Sequence, residues 1–235
     1  MAAVEETHWW YRSTRALLQE VFDRFVPVGG TFLDAGAGTG ATGAWMAARG
    51  RVVALDVEPL ALDLYRRAHP AAGVATADIS RLPFAGDSFD AALCVTVLYH
   101  AAVPDPAVAV AELARVVRPG GLVVLMEPGV RRLFRAHDRE VHGARRFSRG
   151  DLRRAMEHAG LEVVWSSGVY TFLIPPAAVK AVVERKLPAQ SDIARHDGGV
   201  RGILPFVAAV ERRVIGRIRL PVGLSVLAVG RRPVR

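Results

Sequence analysis

The chain has 235 residues, 51% hydrophobic and 23% charged, the balance of one large folded domain; this excludes a disordered polar segment and a pair of full-sized domains. Its net charge of +8 is uneven: residues 1–130 hold ten basic against fourteen acidic side chains, −4, whereas residues 131–235 hold 21 against nine, +12. Cys94 is the only cysteine, which excludes an intrachain disulfide and a thiolate zinc cluster and fits a reducing compartment.

The N-terminus carries Glu5 and Glu6 in place of a basic and apolar leader, and no uncharged apolar run reaches about 18 residues, so a cytoplasmic protein without a membrane span is expected. From Thr7 to Phe25, Leu17, Leu18, Val21, Phe22 and Phe25 recur at helical spacing among charged residues. This predicts an amphipathic helix halted by Pro27 and Gly29-Gly30. A strand from Thr31 runs into glycines ending at Gly40, an alanine-rich helical stretch follows to Arg49, and a second strand (51–55) ends at Asp56: a βαβ unit. Pro59 opens a helix to about Ala68, and a third strand (74–77) ends at Asp78. Asp90 to Val95 reads as a fourth strand. Asp105-Pro106 starts a helix bearing Val110, Leu113, Val116 and Val117, the Pro119-Gly120-Gly121 turn ends it, and Leu122 to Met126 is a fifth strand. Ser148 with Asp151 opens a helix to Ala159, a sixth strand begins at Leu161, residues 175–220 are a helical insertion, and Val222 to Val229 is the last strand. Alternation of this kind implies a doubly wound α/β fold with a parallel sheet and right-handed crossovers.

The turn Asp34-Ala35-Gly36-Ala37-Gly38-Thr39-Gly40 leaves a strand where a ligand can approach the backbone. Gly36, Gly38 and Ala41 also satisfy the looser dinucleotide pattern, so the glycines alone leave that ligand open. Acidic residues at successive strand ends shift the balance: Asp56 suits ribose hydroxyls, and Asp34 would sit poorly beside a pyrophosphate but well near an ammonium and, more loosely, a sulfonium. The plain alternatives are a solvated strand end for Asp56, a turn residue for Asp78, and packing for Leu82-Pro83-Phe84.

These segments, with Leu55-Asp56, Ala77-Asp78-Ile79, Ser88-Phe89-Asp90 and Glu112-Leu113-Ala114-Arg115 leading to Arg118-Pro119-Gly120-Gly121, stand in the order of the motifs of class I S-adenosylmethionine (SAM)-dependent methyltransferases, and residues 30–127 resemble that family. The resemblance implies a mostly parallel seven-stranded sheet whose last strand inserts antiparallel. It implies SAM as cofactor and S-adenosylhomocysteine as product. Asp34, Gly36, Ala37, Gly38 and Gly40 would cradle the methionine part, Asp56 the ribose, and Asp78 with Ile79 the adenine; Val57 and Val95 join the cofactor-binding candidates. The expected organisation is a single domain over 1–235: an N-terminal helical lid (1–28), a nucleotide-binding core (30–170), the insertion (175–220) and the last strand (221–231).

Methyl transfer needs alignment and exclusion of water, and a base only when the nucleophile is a hydroxyl. His100, past the fourth strand, and His137 and His142, past the fifth, are the catalytic candidates, each with a surface or structural role as the alternative. His69 and His158 are assigned structural roles. The segment from His137 to Phe147, and His8-Trp9-Trp10-Tyr11-Arg12, resemble parts of some bacterial small-molecule methyltransferases; Trp9, Trp10 and Tyr11 are a lid or helix anchors. Phe206, Val207, Val210, Val214 and Ile218 share a helical face opposite Glu211, Arg212 and Arg213. Core packing under the last strand is the first reading of that face, and contact with an anionic membrane or an acidic or lipid-linked acceptor the second. The sequence therefore points to methyl transfer onto a small-molecule acceptor, with a hydroxyl of a sugar, polyketide or lipid-like natural product favoured. A nucleic-acid methyltransferase, permitted by the basic half but lacking an Asn-Pro-Pro-Tyr-type motif, and a non-catalytic SAM-binding module are the alternatives. No metal-ligand cluster stands out, so no metal is expected.

Overall fold

Seven strands form one sheet in the order β3-β2-β1-β4-β5-β7-β6 in the computed structural model, which describes residues 8–134, 136–184 and 203–234 apart from the side chains of 136, 137 and 182–184. β1 (Thr31–Ala35), β2 (Arg51–Asp56), β3 (Gly73–Thr76), β4 (Phe89–Val95) and β5 (Val117–Pro128) are parallel. β7 (Ser225–Arg231) slots antiparallel between β5 and β6 (Glu162–Val169), as the resemblance implies. β5 pairs Val117 with Phe89 before Pro119-Gly120-Gly121, and the register shifts there, with Gly120 at φ +82°. The glycines thus form a bulge within the strand as well as a stop for the helix.

The sheet is covered on both faces, and this accounts for the apolar runs in its central strands. One face packs on α3 (Pro106–Val116) and α5 (Arg149–His158), burying Leu113, Leu152 and Met156 with Leu33 and Leu125. The other packs on α1 (Trp9–Phe25), burying Leu18 and Phe22 against Phe32 and Leu93. α2 (Pro59–Ala68) buries Leu62 and Tyr65. Helix starts follow the caps read in the sequence. Asp105 accepts the Ala107 N–H at 2.8 Å, and Ser148 with Asp151 forms a capping box in which each residue's side chain accepts the other's backbone N–H.

Two expectations are corrected. The alanine-rich stretch before Arg49 is a series of turns with a short 3-10 helix at Ala44–Ala48, in place of a regular helix. Gly40 sits at φ +97°, and a Cβ on Gly43 would lie 2.1 Å from Asp34 Oδ2, so close passage over Asp34 overrides alanine propensity. The second correction concerns the insertion, described as α6 (Ile174–Glu184) and α7 (Ile203–Ile215), with residues 185–202 outside the described residues. Phe206, Val210, Val214 and Ile218 do not pack under the last strand: they are 68%, 42%, 38% and 63% exposed. α7 is anchored by its opposite side, through buried Ala208 and Ile215, through Glu211, which accepts the Tyr170 and Thr171 N–H groups, and through Arg212, which pairs with Glu20. No helix among the described residues is long and apolar enough to cross a membrane.

Candidate functional site

A cleft of about 370 Å³ opens at the carboxyl edge of the sheet, where β1, β2 and β4 end and the strand order reverses, the usual ligand position in such folds. Gly36, Asp56, Val57, Asp78, Ile79 and His100 line it together, so the structure joins residues from three strand ends with a histidine beyond a fourth. Gly36 has φ +77°, and a Cβ there would meet Val97 Cγ2 at 2.1 Å; glycine is required twice over. Gly38 (φ +53°) has open space on its Cβ side, which leaves room for a ligand to approach the backbone there.

Asp56 accepts the Gly38 N–H at 2.8 Å on one oxygen and the Glu58 N–H at 2.9 Å on the other. The carboxylate thereby ties the glycine turn to β2 and retains lone pairs for a pair of hydroxyls. Asp78 accepts the Ser80 N–H through Oδ1 and is exposed. Val57 is 64% exposed beside it, and Ile79 is 5% exposed, buried yet bordering the cleft. This pattern of acidic oxygens beside apolar surface fits a ribose and a flat heterocycle.

Asp34 lies beneath the turn rather than in the cleft: it is 3% exposed, and its Oδ2 is buried with no hydrogen-bond partner among the described residues. Burial, and secondarily Asp56, pushes its carboxyl up to about 7. An orphaned acidic oxygen under the glycine turn fits a cationic methionine head above it. Ala37 is likewise buried, against Tyr65 and Leu62, and supports the turn from below. Val95 is buried on the α1 face of the sheet; the next residues, Thr96 at φ +53° and Val97, line the cleft in its place.

The loop after β4 is held from two sides. Glu127 on β5, fully buried, accepts the N–H groups of Val97 (3.1 Å), Leu98 (2.9 Å) and Tyr99 (3.2 Å). Burial pushes its carboxyl up to about 8 against the pull of those donors and of Arg145. Arg145 donates to the carbonyls of Leu98, Val103 and Pro104. Next to it, Arg146 and Asp138 form a buried two-pronged ion pair at 2.8 and 3.0 Å, and Arg146 also bonds the Gly129 carbonyl. Sequence alone assigns no role to Glu127 and carries Asp138, Arg145 and Arg146 only as members of the segment from His137 to Phe147; a lone acid ending an apolar strand, and adjacent arginines after it, are the available signals.

This scaffold brings His100 and His142 together, with ring centroids 5.8 Å apart, while an antiparallel bridge joins His100 to Gly143. The Nδ1 atom of His100 accepts the Ala102 N–H at 3.1 Å, which places the proton of the neutral ring on Nε2. Burial, then His142, holds His100 below the ordinary histidine range, and Asp56 pulls the other way. His142 is exposed at φ +55°, a left-handed conformation that only the surrounding loop can hold. His137 falls within α4 (Ala136–Glu140), but its side chain lies outside the described residues. Trp9 and Trp10 pack against the apolar layer, Trp9 edge-on to Tyr170 at 6.0 Å; residues 1–7 lie outside the described residues. Among the described residues there is no cluster of three or more metal-ligating side chains.

Residues 33–125 match the family described as "Methyltransferase domain". The chain is 35% identical over 120 residues to a malonyl-[acyl-carrier protein] O-methyltransferase of Serratia marcescens, covering 48% of this chain and 46% of that one. It is 40% identical over 97 residues to a demethylmenaquinone methyltransferase of Renibacterium salmoninarum, covering 40% of each. The chain thus spans less than half the length of these relatives. Among solved structures, the methyltransferase in a Haloferax volcanii complex with the Trm112 methyltransferase activator superposes with TM-score 0.64 at 25% identity, over 99% of this chain and 93% of that one. The [4+2]-cyclase SpnF shares the fold at TM-score 0.64 and 22% identity, over 94% and 81%. The motif order, the inserted antiparallel strand and these similarities lead to one conclusion: residues 33–125 match a methyltransferase domain, the chain has the fold of class I SAM-dependent methyltransferases, and SAM is the cofactor these similarities support.

Proposed function

We propose that the protein transfers a methyl group to a small-molecule acceptor in the cytoplasm, favouring a hydroxyl of a sugar, polyketide or lipid-like natural product. One observation carries the reading: the cleft bordered by Gly36, Asp56 and Asp78 is also bordered by His100, so cofactor side and acceptor side share one opening. The bound cofactor supplies a methyl carbon already activated by its sulfonium. The glycine turn, Asp56, and Asp78 with Ile79 would hold its methionine, ribose and adenine parts in turn, with Asp34 acting from beneath.

The remaining work falls to the chain's own side chains. His100, pinned by Ala102, presents an Nε2–H to the cleft and would orient the acceptor oxygen by donating to it. His142, next to it and without that constraint, is the better base for a hydroxyl proton. Glu127 and Arg145 fix the loop that carries His100, supplying the alignment on which an in-line displacement depends. Peripheral contact with an anionic membrane or a lipid-linked acceptor belongs to the same reading and draws on the exposed apolar face of α7. Release of S-adenosylhomocysteine by purified protein, screened against sugar, phenolic, polyketide and isoprenoid hydroxyl panels, tests the proposal. Turnover on nucleic acid alone would overturn the acceptor class.

A further inference from the structure

α7 is apolar on two opposite sides, and only one is used by the fold. Ala208 and Ile215 are 4% and 2% exposed and face the core. Ile203, Phe206, Val210 and Val214 follow the three- and four-residue spacing of a single helical face and are all exposed, Ile203 by 64%; Ile218 continues the row just past the helix. A contiguous apolar stripe of this kind on a monomer marks an interaction surface.

The rim of the stripe identifies the partner. Arg213, Arg217 and Arg219 are exposed beside it. Glu211, the one acid of α7, is committed to the Tyr170 and Thr171 amides, and Arg212 to Glu20, so the exposed rim is cationic. A symmetric pairing of two copies through this face would bring two cationic rims into one interface, with the single acid of α7 already committed to the Tyr170 and Thr171 amides. An anionic bilayer accepts both features at once: the apolar side chains enter the boundary of the acyl chains while the arginines stay among the headgroups. The stripe is also well placed. α1 and α7 run side by side in the same direction, Glu20 beside Arg212 and Arg24 beside the Gly216 carbonyl, and Arg15 of α1 bonds the Ala41 carbonyl next to the glycine turn. Ile203 and Phe206 are therefore at the end of α7 nearest the edge that opens the cleft.

We infer that α7 is a membrane-docking helix that seats the protein on an anionic lipid surface. The inference deepens the reading of a lipid-like acceptor and rests on it for its purpose, not for its measurement. The test is co-sedimentation of the full chain with phosphatidylcholine vesicles, with and without phosphatidylglycerol, at low and high salt. Wild type should bind the anionic vesicles and release as salt rises. Phe206→Ser combined with Val210→Ser should weaken binding about tenfold or more, and Arg213→Gln combined with Arg217→Gln about fivefold per arginine. S-adenosylhomocysteine binding by calorimetry should persist in both variants, because every substituted side chain is exposed and outside the cleft. No binding to anionic vesicles, equal binding to neutral ones, or unchanged binding in the variants overturns the inference. So does light scattering that shows a dimer abolished by Phe206→Ser with Val210→Ser. Loss of S-adenosylhomocysteine binding in the wild type would instead overturn the cofactor site and leave the docking result standing.

Discussion

The carboxylate of Glu127 receives the backbone N–H of Leu98 at 2.9 Å, 29 positions away in sequence, and the flanking amides of Val97 and Tyr99 converge on the same group. Three donors meet two acceptor oxygens, so an amide cannot substitute cleanly. Above about pH 8, where the group is ionised, Glu127→Gln turns its own NH₂ toward at least one backbone donor and should cost about 1–3 kcal/mol of stability. Glu127→Leu, which leaves all three donors unmatched, should cost more. Urea unfolding midpoints of the two variants against wild type give the answer; a Gln variant as stable as wild type would show that the carboxyl is not the clamp.

Asp34 and Glu127 predict an unusual pH profile. Burial holds their folded-state values at about 7 and about 8, above the unfolded ones. A raised carboxyl favours the folded state while protonated, so this stabilisation is complete below the unfolded values near 4 and is lost as pH rises through about 7 to 8. Thermal melting of the ligand-free protein should fall progressively as pH rises from about 4, near the unfolded values, to about 8, and level off above that. In Asp34→Asn the portion of the fall that runs from about 4 up to about 7 should disappear; an identical profile in that variant would remove Asp34 from the account.

His142→Ala should lower turnover on a hydroxyl acceptor by about 10² to 10⁴, the usual contribution of a positioned base, with S-adenosylhomocysteine affinity nearly intact. His100→Ala should act mainly on the acceptor's KM, because Nδ1 is occupied by the Ala102 N–H and Nε2 is left as the neutral ring's donor. Steady-state kinetics of the two variants separate the roles. A larger kcat loss in His100→Ala would reverse the assignment.

Gly36→Ala and Gly38→Arg should both abolish cofactor binding, for different reasons. At Gly36 the added Cβ meets Val97, so calorimetric binding and melting temperature should fall together. At Gly38 the neighbourhood is open, so Arg should block the cleft with only the ~1–2 kcal/mol cost of a left-handed non-glycine residue. Asp56→Ala should weaken binding while loosening the turn through loss of the Gly38 bond.

The basic half, +12 over residues 131–235, should not confer duplex binding of functional strength. Many of its arginines are committed: Arg145, Arg146 and Arg149 to carbonyls, Asp138 and Ser166, and Arg232 to Asp87 and three carbonyls. Titration with duplex DNA and RNA across salt should give a shallow slope, whereas a fall reflecting many phosphates, with methylated product, would revive the nucleic-acid alternative.

The sequence by itself determined the succession of strands and helices along the core, the glycine turn, the acids at three strand ends and the helix caps. Those are local signals: apolar runs covered on both faces, glycines where φ is positive, and side chains that cap amides two or three residues away. It could not determine which histidine faces the cleft, because His100 and His142 meet only when the 97–103 and 138–146 loops are drawn together by Glu127, Arg145 and the Arg146–Asp138 pair, contacts spanning eight to 47 positions. Nor could periodicity tell which side of α7 is core. Helical spacing marks an apolar face, but burial goes to the side that finds a partner, and in this fold Ala208, Ile215 and Glu211 take α1 and β6 while Phe206, Val210 and Val214 are left outside.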